Sequence, residues 1–323
     1  MNKEKKQSLI AKLILFATTL LWGSSFFIVK RTVEEIPVFT LLLIRFSISF
    51  VLMMIIFAPK IKKINFGVVA KGILAGTPLA LAYVFQTEAI KYTTASNNAF
   101  LTATYCVMIP FMTWAVYKKR PAIYNFIAAV ICIVGIGLAT LQNGLAFNYM
   151  GDGFTLIAAF FFAVNIMLIE KFTKDVSIDA MMFTAFQFIP IIIAALIGFL
   201  IKEQGQAVFT KVGIGGLMYL TICGSVLALS MMSIGIKYTS AFSAGLIMSL
   251  EAVFGVVFAV IFSKEHLHWL TYVSFIVIFI GMMVSEASPY FVELAKKKRE
   301  RASNEDVSNN ILQSDETNID WNI

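Results

Sequence analysis

Ten apolar stretches of about twenty residues, cut by short runs of charge, proline, glycine or asparagine, dominate this chain. They cover residues 13–30, 38–58, 67–90, 97–117, 122–141, 153–170, 179–201, 212–236, 241–263 and 268–287. A helix of that length crosses the ~30 Å hydrocarbon core of a bilayer. Of 323 residues, 59% are hydrophobic and 14% charged, which excludes a water-soluble globule and a disordered chain. Three cysteines are too few for a disulfide-framed secreted domain; Cys106, Cys132 and Cys223 fall inside spans and read as small buried apolar residues. The expected fold class is an all-α integral membrane protein with ten transmembrane helices and no separate soluble domain. The first stretch follows Lys3, Lys5, Lys6 and Lys12, as a signal peptide would, but no A-x-A-like cleavage site follows it, so it reads as a span.

Ten spans place the loops alternately on the two sides. Lys3, Lys5, Lys6, Lys12, Lys60, Lys62, Lys63, Lys71, Lys118, Lys119, Arg120, Lys171, Lys174, Lys237 and the basic start of the tail (Lys296, Lys297, Lys298, Arg299, Arg301) share one side. Lys30, Arg31, Lys91, Lys202, Lys211 and Lys264 share the other. The richer side is cytoplasmic by the positive-inside rule, which puts both termini there. This bias accounts for the net charge of +7 without a nucleic-acid partner. Residues 1–12 form a short cytoplasmic N-terminus. The tail, 288–323, turns from basic to acidic and polar, cannot bury a core, and is expected to be disordered.

The chain repeats itself. Ile90-Lys91-Tyr92-Thr93-Thr94-Ala95 matches Ile236-Lys237-Tyr238-Thr239-Ser240-Ala241 at an offset of 146, and the register continues through Val107 and Val253, Lys118 and Lys264, Gly135 and Gly281. A weaker echo at an offset of 140 sets Trp22-Gly23-Ser24-Ser25-Phe26 beside Phe162-Ala163-Val164-Asn165-Ile166. Residues 13–141 and 153–287 are thus two five-helix repeats joined by a linker, 142–152. Five is odd, so the second copy enters the membrane from the opposite side, the inverted arrangement in which carriers bind solutes near the midplane between repeats.

The Trp22-to-Phe26 run, Arg45 in span two, the Tyr-Thr-Ser/Thr-Ala entry to spans four and nine, Glu251 in span nine and Lys264-Glu265 before span ten resemble the EamA family of the drug/metabolite transporter superfamily. The resemblance covers residues 13–287. It implies a ten-helix inverted-repeat carrier, usually an exporter of amino acids or other small metabolites in a bacterial cytoplasmic membrane. Two features depart from the pattern. Ala252 follows the glutamate where the family often has proline, and Lys119 stands in the first repeat where Glu265 stands in the second.

Ionisable groups inside lipid are costly and mark cavities or partners. Glu251 lies one residue from the middle of span nine and Arg45 about 4.5 Å from the middle of span two, at 1.5 Å per residue. The two could pair as a structural bridge, or clamp the ammonium and carboxylate of a zwitterionic solute. Glu251 is the candidate coupling site, a desolvated carboxyl able to exchange protons during the cycle. Glu88, near the outer end of span three, reads as an interfacial anchor. Asn98, Thr102 and Tyr105 form one stripe of span four at i, i+4 and i+7; Tyr83 and Thr87 pair on span three, and Trp22 and Ser25 share a face of span one. Asn165 echoes this position in span six, and Gln187 lies in span seven. Taken singly, such groups also serve as hydrogen-bond partners between membrane helices. Taken together, they suit a small polar organic solute better than a bare metal ion. Pro78, Pro110 and Pro190 interrupt spans three, four and seven and permit kinks, while Gly72 and Gly76 allow close helix approach.

No cofactor is called for. His266, Glu265 and His268 lie together in one loop but lack a metal-ligand pattern, and the spans hold no paired aspartates, histidine cluster or HExxH motif for a membrane-embedded enzyme. The expectation is a secondary transporter working by alternating access, with a uniporter or channel-like permease as the rival. Substrate, direction, coupling ion and oligomeric state are not encoded in any motif.

Overall fold

The computed structural model describes residues 3–59, 65–118, 120, 122–141, 148–175, 178–203, 209–264 and 267–284, with 288, 290–292, 294 and 295 beyond. Its helices are α1 (Lys3–Thr32), α2 (Val38–Ile56), α3 (Phe66–Ala89), α4 (Ala95–Ala103), α5 (Tyr105–Tyr117), α6 (Ile123–Leu141), α7 (Phe154–Thr173), α8 (Ala180–Lys202), α9 (Lys211–Tyr219), α10 (Ala228–Lys237), α11 (Ala241–Ser249) and α12 (Glu251–Ser263), then α13 (Trp269–Val284). A π-helical turn, Tyr149–Gly153, leads into α7, and a π-helical stretch, Leu220–Leu227, joins α9 to α10. Among the described residues there is no strand.

Seven helical spans among the described residues are long and apolar enough to cross a bilayer: Lys6–Thr32, Val38–Ile56, Phe66–Ala89, Ala95–Val116, Tyr149–Thr173, Ala180–Lys202 and Lys211–Lys237. Three shorter apolar helices, Ile123–Gly135, Ile247–Ser263 and Trp269–Val284, lie at the fifth, ninth and tenth expected segments. The protein is thus an all-α membrane protein, and α1 begins at Lys3, well before the apolar stretch at 13. Glu265, His266, Lys119, residues 142–147 of the linker and the tail from 296 lie outside the described residues.

Local chemistry starts the helices where the turns end. Asn65 accepts from the Gly67 N–H, Thr94 from Asn97, Asp179 from Met181 and Met182, and Thr210 from Gly213. Each takes up a backbone donor that the first helical turn leaves unpaired.

The helix bounds repeat at the offset found in the sequence. α4 and α5 are separated by Thr104, and α11 and α12 by Leu250, 146 residues later. Both junctions use the same tightened bond, from Thr104 N–H to the Leu101 carbonyl (3.3 Å) and from Leu250 N–H to the Ile247 carbonyl (3.2 Å). Both long helices also end on a lysine in the left-handed region, Lys118 (φ 59°) and Lys264 (φ 51°).

The two halves interleave. α3 packs on α7 and α8, α2 on α8 and the π-helical stretch, α1 on α10 and α12, and α12 on α4. Absent side chains set the closest approaches. A Cβ on Gly135 would sit 2.5 Å from the Ile278 side chain, and one on Gly281 2.6 Å from Cys132 Sγ, so α6 and α13 cross through equivalent residues. A Cβ on Gly76 would reach the backbone of Gln187, 2.7 Å from its Cα. Backbone cannot yield as a side-chain tip can, so Gly76→Ala is expected to cost about 3 kcal/mol of stability. Thermal unfolding in detergent checks this; an unchanged midpoint would contradict the α3–α8 contact.

Candidate functional site

A narrow cleft lies between the halves, among α1, α2, α3, α4, α7, α10 and the α11–α12 junction, with about 590 Å³ of empty space counted out to its open mouth. Its walls combine Phe26, Val29, Ile90, Phe162, Ile166, Met232 and Met248 with a small set of polar groups. Nine of the eleven candidate lining residues singled out in the sequence line it: Trp22, Ser25, Arg45, Tyr83, Thr87, Asn98, Thr102, Tyr105 and Glu251.

The helix junctions bring the central pair together. Tyr105 and Glu251 are the first residues after the two breaks and are equivalent at the offset of 146. The Tyr105 hydroxyl lies against the Glu251 carboxyl, which is only 2% exposed. Broken helices at matching positions of two repeats are where carriers expose backbone and side chains to a solute. On α4, one turn before its break, Asn98 donates from Nδ2 to Thr155 Oγ1 (2.8 Å), while its buried Oδ1 has no partner at the cavity wall.

Arg45 is 3% exposed and held from several directions. Its Nε donates to Ser225 Oγ at 2.7 Å. The guanidinium lies 5.0 Å from the Phe46 ring centroid and 5.1 Å from that of Tyr83, close enough for cation–π attraction. Tyr83 in turn stands edge-on to Phe162 across the cavity, with centroids 5.6 Å apart. The Trp22 indole donates to the Gly224 carbonyl at 3.1 Å, and Ser25 donates to the Trp22 carbonyl at 2.7 Å.

Among the described residues no ion pair joins Arg45 to Glu251. Their helices have different neighbours: α2 rests on α8 and the π-helical stretch, α12 on α1 and α4. A guanidinium and a carboxyl therefore face one apolar-walled space with no ion pair between them.

Asn165 and Gln187 do not line the cavity. They bond to each other, Asn165 Nδ2 donating to Gln187 Oε1 (2.9 Å) and to the Ala75 carbonyl (2.8 Å), which ties α7 and α8 to α3. Depth in the membrane had grouped them with the lining, but their rotational position turns them into a helix–helix contact. Asn165→Ala is expected to cost about 1 kcal/mol of stability and to leave the KM for any transported solute unchanged. Thermal unfolding and uptake kinetics on one preparation check both halves of this prediction.

Gln86 belongs to the lining and was missed. It donates to Thr102 Oγ1 at 3.0 Å from one turn beyond Tyr83, so the spacing that found Thr87 could also have found it. Glu88 forms an ion pair with Lys91 (2.6 Å) away from the cavity wall. Among the described residues no group of three His, Cys, Asp or Glu side chains is placed to hold a metal.

The model of the EamA-like transporter family matches twice, over residues 9–141 and 149–286. An uncharacterised transporter of Archaeoglobus fulgidus is 28% identical over 281 residues, 87% of each chain, and a second from the same organism is 26% identical over 290 residues, 86% of this chain and 98% of that one. A solved structure described only as the crystal structure of a protein superposes with a TM-score of 0.64 at 17% identity, over 85% of this chain and 96% of that one, and so shares the fold. With a family match on both halves and a cavity between them, the chain belongs to the EamA-like transporter family and is a multi-pass membrane transporter, not an enzyme.

Proposed function

We propose that this protein is a secondary active transporter that exports amino acids or similar small polar metabolites across the cytoplasmic membrane. All ten apolar helices cross in this reading, as two five-helix repeats of opposite orientation with both termini cytoplasmic. The two repeats rock about the cavity to open it to one side at a time.

The observation that carries the proposal is the unpaired presence of Arg45 and Glu251 on one narrow cavity. A zwitterionic solute supplies the missing partner to each: its carboxylate to the guanidinium, its ammonium to the carboxylate. Asn98 Oδ1, buried without a partner, is one further acceptor for that ammonium. The apolar walls hold the remainder of the solute and exclude water, which strengthens both charge contacts. Glu251 also supplies a proton site. A carboxyl that alternately holds a proton and the solute's ammonium couples export to proton entry, which separates this reading from a uniporter or a channel.

Expression in cells challenged with toxic amino acid analogues tests export. The protein is expected to raise resistance and lower intracellular accumulation of at least one analogue, and both effects are expected to disappear in Glu251→Gln. Unchanged resistance and accumulation across the panel would count against the proposal.

A further inference from the structure

The π-helical stretch Leu220–Leu227 lies behind the cavity wall and bonds to two of the residues that line it, Trp22 and Arg45. A π-helical turn widens the bonding pattern and frees groups that a regular helix would use internally. Here the Gly224 carbonyl takes the Trp22 indole (3.1 Å), the Thr221 carbonyl takes Ser49 (3.2 Å), and Ser225 Oγ takes Arg45 Nε (2.7 Å). Ser49 also donates to the carbonyl of Arg45 itself at 2.8 Å. The stretch therefore grips α2 at Arg45 and one turn further on, and α1 at Trp22.

The consequence falls on the guanidinium. With Nε anchored and two aromatic rings alongside, its plane is set before any solute arrives. Gly224 adds a steric condition: a Cβ there would sit 3.2 Å from Arg45 Nη2, tighter than ordinary van der Waals contact.

We infer that Ser225 is a positioning residue for transport, and Gly224 its steric partner: together they aim the Nη groups of Arg45 at the carboxylate of the solute. This rests on the proposed role of Arg45 in solute binding. A preset guanidinium lowers the ordering cost of a bidentate contact, and a planar fork matches a carboxylate only in the right plane.

The test is counterflow in proteoliposomes, with the twenty radiolabelled L-amino acids and the decarboxylated amine of each as probes. The wild type is expected to exchange at least one amino acid and not its amine. For that amino acid Ser225→Ala is expected to raise KM about tenfold, the value of a hydrogen bond to a charged group, with the maximal rate within about twofold. Ser225→Thr, which keeps the hydroxyl, is expected to stay within about threefold of wild type, and Gly224→Ala to raise KM several-fold. A structural role alone would lower the amount of folded protein and the maximal rate, and Thr would not rescue it. If Arg45→Lys abolishes exchange while Ser225→Ala keeps the wild-type KM, the positioning inference falls and the role of Arg45 stands. If Arg45→Lys exchanges like wild type, or the wild type exchanges no amino acid, both fall.

Discussion

Glu251→Gln is expected to reduce transport by about 100-fold or more while leaving the protein folded. Removing one partner of a buried charged contact costs about 2–5 kcal/mol in the bound state, or about 30-fold to several thousand-fold, and that loss falls within this range. Glutamine keeps the shape of the side chain and a group to meet the Tyr105 hydroxyl, but it cannot carry a proton or neutralise an ammonium. Folding has the opposite expectation. The carboxyl of Glu251 is buried without an ion pair among the described residues, so replacing it with a neutral amide is neutral or slightly stabilising. Lost transport with an unchanged or raised unfolding midpoint marks a functional group; lost transport with a lowered midpoint marks a structural one. Internal pH recorded with a trapped dye supplies the second readout, and solute-dependent proton movement that persists in Glu251→Gln would remove Glu251 from the coupling step.

Arg45→Lys is the second large effect, and it falls on solute and stability together. The ammonium keeps the charge but loses the Nε bond to Ser225 and the flat contact with Phe46 and Tyr83. Transport of carboxylate-bearing solutes is expected to fall about 30-fold to 100-fold, and stability by about 2 kcal/mol, because Ser225 and the ring faces lose their partner in a buried site. Transport of an amine lacking the carboxylate, where measurable at all, is expected to change far less. Equal losses for both kinds of solute would mean that Arg45 acts by holding the fold rather than by reading the carboxylate.

Much of this was legible from residue order. The apolar stretches set the helices because a bilayer accepts little else, and the match of Ile90–Ala95 with Ile236–Ala241 anticipated helix bounds that repeat at the same offset. The breaks at Thr104 and Leu250 were not legible. Neither residue is glycine or proline, and the interruption shows only in a hydrogen bond shortened to three residues. The π-helical stretch was hidden for the same reason, since Leu220–Leu227 reads as an ordinary apolar run. Depth along a span picked out Arg45 and Glu251, and helical spacing Trp22 and Asn98, all of which line the cavity, whereas Asn165, taken from the repeat echo, and Gln187 do not. Distance from a helix end gives height in the membrane but not direction around the axis. Arg45 and Glu251 share a depth and still do not pair, because the helices that carry them pack against different neighbours.

Counterflow with purified protein in sealed proteoliposomes tests the central claim most directly. A carrier with one alternately exposed site gives uptake of a labelled amino acid that saturates with concentration, is accelerated by the same unlabelled solute trapped inside, and depends on Glu251 and Arg45. Uptake that rises linearly without acceleration by internal solute, or that is untouched by both substitutions, would contradict the account.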